Sequence, residues 1–147
     1  MSWGRFKPAS LADLIGLTLD EVILMPDHDY GHIVAILAGG RWFAMYHDQD
    51  CCEHVRLDGD APTISASTRG AKIMDAREEV VEHGRGPDNH GDTWTATFYH
   101  IITDREDIAL TWRGDSNGFY SEAVSFGELP GSPDTGKGGC SLFEVTP

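Results

Sequence analysis

Eight consecutive residues hold the densest chemistry in this chain: His47-Asp48-Gln49-Asp50-Cys51-Cys52-Glu53-His54. Imidazole, thiol and carboxylate groups bind transition metals or serve as acid, base and nucleophile. On a strand, side chains alternate between faces, so His47, Cys51 and Glu53 share one face while Cys52 and His54 share the other. His47, Cys51 and Glu53 are therefore the candidate metal ligands, zinc being the ion the set suits, with His28, His32 or His100 as further donors. Against that reading, structural zinc sites space their cysteines roughly two to four residues apart, and adjacent strand cysteines diverge. A cysteine nucleophile is weaker still, because nothing sets a helix N-terminus or a cation beside either thiol. The plainer reading is a tight polar hairpin whose cysteines are small core hydrophobes, with no cofactor and no catalytic residue.

A second chemical segment is Trp112-Arg113-Gly114-Asp115-Ser116-Asn117-Gly118-Phe119-Tyr120-Ser121-Glu122. A turn with amides and hydroxyls, flanked by Trp, Arg and Tyr, offers a small polar or nucleotide-like ligand a stacking face, a cation and directional donors. Arg113, Asn117, Tyr120 and Glu122, joined by Gln49 and Glu53 of the first segment, form the candidate ligand-binding set. The alternative is a hairpin whose Asn117-Gly118 serves backbone geometry alone. The third histidine-rich patch, Asp27-His28-Asp29-Tyr30-Gly31-His32, reads as a solvated turn.

The elements that must position these groups are mostly strands. Ser10 as N-cap and Asp13 at the capping-box position predict one helical turn, ended by Gly16. Strands are expected over 17–25, 32–37, 41–47 and 51–57, with Gly39-Gly40 as a tight connection. If Asp48-Gln49-Asp50 is a three-residue loop, Phe43 falls opposite Val55 and Met45 opposite Glu53, which would set that carboxylate at the core's edge. Residues 72–81 fit helix or strand, and strand is preferred on length. The strongest β pattern is Thr93-Trp94-Thr95-Ala96-Thr97-Phe98-Tyr99-His100-Ile101-Ile102, followed by strands near 108–112 and 119–126 in an antiparallel meander. The expected fold class is mainly β (β-rich α+β): a small antiparallel sheet, partly open barrel or sandwich, with one short N-terminal helix. Residues 1–126 form the single β-rich domain. Residues 127–147 form a Gly/Pro-rich tail with a last strand or docked segment at 140–146.

Bulk composition narrows the function classes. The chain has 147 residues, 40% hydrophobic and 10% aromatic, values of a globular domain with one core. Eleven basic against 24 acidic residues give a formal charge of −13. A protein that grips nucleic acid must neutralise phosphates with Lys and Arg, so direct nucleic-acid binding is not expected. Nothing is long or apolar enough for a bilayer span or a signal peptide, so no membrane partner is expected. Three cysteines suit a reducing, cytoplasmic setting, and the neighbours Cys51 and Cys52 are not expected to bridge each other.

Four segments together carry a resemblance: Leu14-Ile15-Gly16-Leu17-Thr18-Leu19, Met45-Tyr46-His47-Asp48-Gln49-Asp50-Cys51-Cys52-Glu53, residues 93–99 and residues 112–122. They resemble a domain-of-unknown-function family common in bacteriophage and prophage genomes, whose members read MYHxQDCCE, TWTFYK and RWxGxSNGYYSE. The likeness spans roughly residues 11–126, and the Gln49-Asp50-Cys51-Cys52-Glu53 run is its most specific part. The chain departs from the pattern at Thr95-Ala96-Thr97-Phe98-Tyr99, at Thr111, and at Phe119 in place of the first of two tyrosines. The resemblance implies a phage-type origin and a small β fold, with no assigned enzymatic activity.

The leading expectation is thus a small phage-type accessory protein that acts as a non-enzymatic binding module. It would inhibit a host protein or hold a small polar ligand, in the bacterial host's cytoplasm or on the virion. The runner-up is a metal-dependent hydrolase built on residues 47–54. A virion structural or decoration protein is the third reading.

Overall fold

A computed structural model of the chain describes residues 6–27, 31–48, 52–58, 64–84, 93–117, 121–133 and 140–143. Their strands are β1 (Lys7–Pro8), β2 (Thr18–Asp27), β3 (Gly31–Ala38), β4 (Arg41–Tyr46), β5 (His54–Leu57), β6 (Ala71–Gly84), β7 (Thr93–Thr103), β8 (Asp107–Ser116), β9 (Ser125–Glu128) and β10 (Cys140–Ser141). The short helix is a 3-10 turn at Leu11–Leu14. Ser10 Oγ accepts the Ala12 N–H and the Asp13 carboxylate accepts the Ser10 N–H, so two orphan donors are satisfied reciprocally. Gly16, at φ +90°, ends it. Gly39 and Gly40 have φ values of +58° and +76°, the double left-handed turn that suits the twist of β3 and β4. No helix among the described residues is long and apolar enough to cross a membrane.

The strands form one open antiparallel sheet in the order β1-β9-β4-β3-β2-β6-β7-β8-β5, with β10 also on β2. Its two halves join through a narrow seam, where Thr18 and Leu19 pair with Lys72 and Ala71. Beyond that seam the halves fold toward each other. Leu19, Val22, Val34, Ile36, Phe43 and Met45 of one half meet Val55, Ile73, Tyr99, Leu110 and Trp112 of the other in one buried cluster. Strand β5, the outer edge of the second half, reaches β3 without a ladder between them among the described residues: the Leu57 N–H donates to His32 Nδ1 at 3.0 Å. This fits the expected β-rich class, and the sheet does not close into a barrel. A second cluster, with Ile33, Ala35, Ala44 and Leu129, lies on the outer face of the first half beside Phe6.

Two expected pairings are corrected. Strands β4 and β5 do not form a hairpin, so Phe43 is not opposite Val55. β4 lies between β3 and β9, where Phe43 faces Ile36 and Met45 faces Phe126. Val55 instead faces Gly114 on β8. The Phe43 and Phe126 rings stack at 5.6 Å, an apolar contact that a short-range hairpin would forgo. Likewise, β8 runs on to Ser116, and the returning strand is confined to Ser125–Glu128, paired with β4 and β1 rather than β8. The ambiguous 72–81 segment is strand throughout, as part of β6. The tail also contributes to the core: β10 pairs with β2, and Leu142 and Phe143 are buried in the main cluster.

Candidate functional site

After β8 the chain crosses to the other half of the sheet, and residues 121–124 of that crossing are irregular. Two buried polar groups hold this segment. On one side, the Glu122 carboxylate accepts from Thr93 Oγ1 at 2.5 Å, from Thr95 Oγ1 at 2.7 Å and from the Ser116 hydroxyl. These donors lie on the inward face of β7 and β8, where Thr93 pairs with Ser116 and Thr95 with Gly114. Gly114 is needed here, because a methyl group on it would stand 2.8 Å from Glu122 Cβ and 2.9 Å from its carbonyl oxygen. On the other side, His47 Nδ1 donates to the Ala123 carbonyl at 2.7 Å and Nε2 meets Glu53 at 2.9 Å. The His47 and Glu53 side chains are only 3% and 0% exposed. A carbonyl can only accept, so Nδ1 is the donor to Ala123. The pair is therefore a buried tether for the crossing segment.

Between this segment and the extended ends of β6 and β7 lies a cleft of about 670 Å³. Its walls carry the carboxylates of Glu78, Glu82 and Glu122, the hydroxyls of Thr93, Thr95 and Thr97, and the apolar Val80. Ladder register explains the set: Glu78, Val80 and Glu82 face Tyr99, Thr97 and Thr95, so alternate residues of both strands point to one side. None of the three carboxylates has an ion-pair partner among the described residues. On the same inward face, Tyr99 and Trp112 are fully buried, and neither Tyr99 OH nor Trp112 Nε1 makes a hydrogen bond of good geometry. Burial, reinforced by the nearby Glu78 charge, pushes the Tyr99 phenol well above its ordinary pKa.

The sequence-derived residues divide among several places. Glu122 lines the cleft, and Glu53 lies behind the crossing segment with His47. Arg113 is on the opposite face of β8, 4.9 Å over the Trp94 ring. There Arg113 and Arg56 share Asp115, at 3.1 and 2.5 Å. Burial pushes the Asp115 carboxyl up, but hydrogen bonds from Arg113 and Arg56 outweigh it and hold it below its ordinary value. Asn117 is exposed at the end of β8. Gln49, Cys51, Tyr120 and His28 lie outside the described residues. Glu78, Glu82 and the three threonines were not singled out by sequence reasoning. Their signal is the repeated small hydroxyl at 93, 95 and 97, one face of an otherwise aromatic and apolar strand.

For the metal reading, His47 and Glu53 are spent on each other and on Ala123. His32 has Nδ1 occupied by Leu57, and burial first, then His54 and Arg56, lower its pKa. His100 is exposed on the outer face opposite Arg77. Among the described residues, no group of three or more His, Cys, Asp or Glu is placed to hold a metal ion. One cysteine expectation is corrected: Cys52 is exposed and disulfide-bonded, not a small core hydrophobe or a free thiol. It lies in a bend before β5, where strand alternation does not govern its direction.

Neither the curated proteins nor the solved structures contain a significant match to the chain. The sequence profile of one family does match, over residues 12–126, which takes in β2 to β8, the buried His47–Glu53 pair and the crossing segment. The chain belongs to the family described as "Domain of unknown function (DUF7448)".

Proposed function

We propose that this protein is a non-enzymatic binding module that takes a cationic group of its target into the cleft beside residues 121–124. The observation that carries the reading is the cleft's lining: Glu78, Glu82 and Glu122, with no ion-pair partner among the described residues, beside three threonine hydroxyls. Three carboxylates gathered around one recess, Glu78 and Glu82 exposed and Glu122 buried, add their attraction for a guanidinium or ammonium group. The formal charge of −13 extends that attraction outward and speeds encounter with a basic partner. This chemistry suits an accessory protein of the phage type, acting on a basic host protein or a small cationic ligand. A hydrolytic role would call on His47 and Glu53, which are buried and bound to each other, so the cleft is the better-supported site.

The test is a titration of the full-length protein with N-acetyl-arginine amide, followed by amide chemical shifts in NMR spectra. N-acetyl-citrulline amide, its neutral isostere, is the control. Saturable shifts at Thr95, Thr97 and Glu122 with the arginine compound alone are expected. Equal shifts with both compounds, or none with either, would overturn the reading.

A further inference from the structure

Among the described residues, one long edge of β6 beside the cleft has no strand paired to it. On its other side, β6 is paired with β7 from Ile73 to Gly84. On the open side, among the described residues, it pairs with β2 at Ala71 and Lys72 and with no further strand. Ile73 exchanges hydrogen bonds with the chain just before β2: Gly16 N–H to Ile73 O at 2.8 Å, and Ile73 N–H to Leu17 O at 2.9 Å. Ile73 is an inward-facing core residue, so inward-facing residues of β6 turn their N–H and C=O toward this edge. After the bulge between Ile73 and Asp75, the inward residues are Ala76, Glu78, Val80 and Glu82. Ala76 agrees with the assignment, since its N–H is taken by the Asp75 carboxylate at 2.9 Å rather than by β7. Beyond it, Glu78, Val80 and Glu82 offer three consecutive inward positions whose backbone groups have no partner among the described residues. Val80 is also half exposed, at 49%.

Open backbone groups and the acidic cleft therefore lie on the same three residues. We propose that the open edge of β6 takes an extended basic peptide segment of a target protein as an added strand. Main-chain hydrogen bonds to Glu78, Val80 and Glu82 give it purchase, and alternate side chains enter the cleft. Residues opposite Glu78 and Glu82 are arginine or lysine, and the residue opposite Val80 is apolar. The recognised pattern is basic-x-apolar-x-basic, which reads the same in either strand direction.

Edge carboxylates ordinarily deter strand addition, and here they select against one obvious occupant. A second copy paired through Val80 would set its Glu82 against Glu78 twice, a like-charge contact on the same face. A basic strand reverses the sign of both contacts. This inference rests on the proposed cationic cleft, and the experiment separates the two.

The probe is a nonapeptide with arginine at its third and seventh positions, valine at its fifth and threonine elsewhere, titrated into the full-length protein. Three comparisons are made: citrulline in place of both arginines, N-methylation of the fourth and fifth residues, and the protein variant Glu78→Gln/Glu82→Gln. Both glutamates are exposed, so the variant is expected to fold as the parent does. Each change should weaken binding about tenfold, the scale of two partly screened charge contacts or of lost strand pairing. Saturating peptide should also slow hydrogen exchange at the Glu78, Val80 and Glu82 amides. If the N-methylated peptide binds as well as the parent, or those amides gain no protection, strand addition is overturned. The cleft reading then survives provided the arginine amide still outbinds its citrulline analogue. If that difference is missing too, both fall.

Discussion

Replacing Glu122 with alanine removes the acceptor that joins the crossing segment to the floor of the cleft. The carboxylate takes hydrogen bonds from Thr93, Thr95 and Ser116, and the last two donors are both about 8% exposed. A buried donor left without its acceptor costs about 1–3 kcal/mol, so two such hydroxyls imply about 2–6 kcal/mol of lost stability. For a domain of this size that corresponds to a fall in Tm of about 5–20 °C. Glu122→Gln keeps the shape and some of the hydrogen bonds, so its loss should be smaller, about 1–2 kcal/mol. Adding Thr95→Val and Ser116→Ala to Glu122→Ala should recover part of the deficit, because the stranded hydroxyls are then absent. Urea unfolding, followed by tryptophan fluorescence with the buried Trp112 as reporter, measures all three. If Glu122→Ala unfolds within about 0.5 kcal/mol of the parent, the carboxylate does not anchor the crossing segment.

Other substitutions probe the remaining supports. Gly114→Ala forces a methyl group against Glu122 Cβ and its carbonyl oxygen, and should cost about 1–3 kcal/mol in the same unfolding assay. His32 accepts the Leu57 N–H only while Nδ1 is unprotonated, and its pKa is lowered in the folded state. A depressed histidine pKa contributes stability in full above the ordinary value near 6.5, and that share is lost as pH falls through the folded value. His32→Asn, whose side-chain oxygen can still accept, should flatten the stability profile below about pH 6.5; an unchanged slope would count against this role. Phe143→Ala removes a ring that is 4% exposed and packed under Arg69, and should cost about 3–5 kcal/mol if the C-terminal segment belongs to the core. A loss no larger than that of a surface substitution would return residues 140–143 to the status of a loose tail.

Much of the local structure is legible in the residues themselves. The Ser10–Asp13 capping box, the Gly39-Gly40 turn and the alternation of β7 are short-range signals, decided by hydrogen bonds or sterics within a few positions. The same alternation puts Thr93, Thr95 and Thr97 on one side, though nothing short-range marks that side as a cleft wall. It could not say which strand lies beside which. Residues 41–47 and 51–57 looked like a hairpin because a short loop separates them, yet Phe43 and Met45 pair with β9, some 80 positions along the chain. Loop-closure cost grows only slowly with length, so a better apolar match far away outcompetes a poorer one nearby.

The segment of densest chemistry, residues 47–54, shows where that boundary lies. Residue types alone determined that this is an acidic, β-rich chain with imidazole, carboxylate and thiol groups crowded into one connection. Tertiary structure alone decided that His47 and Glu53 are buried together under Ala123, that Arg113 faces away from the cleft, and that Glu78 and Glu82 join Glu122 around it. The physical reason is that a side chain's face follows from its neighbours in sequence, while its partners follow from strand order. Strand order is a property of the whole sheet, settled by the summed burial of residues far apart in the chain.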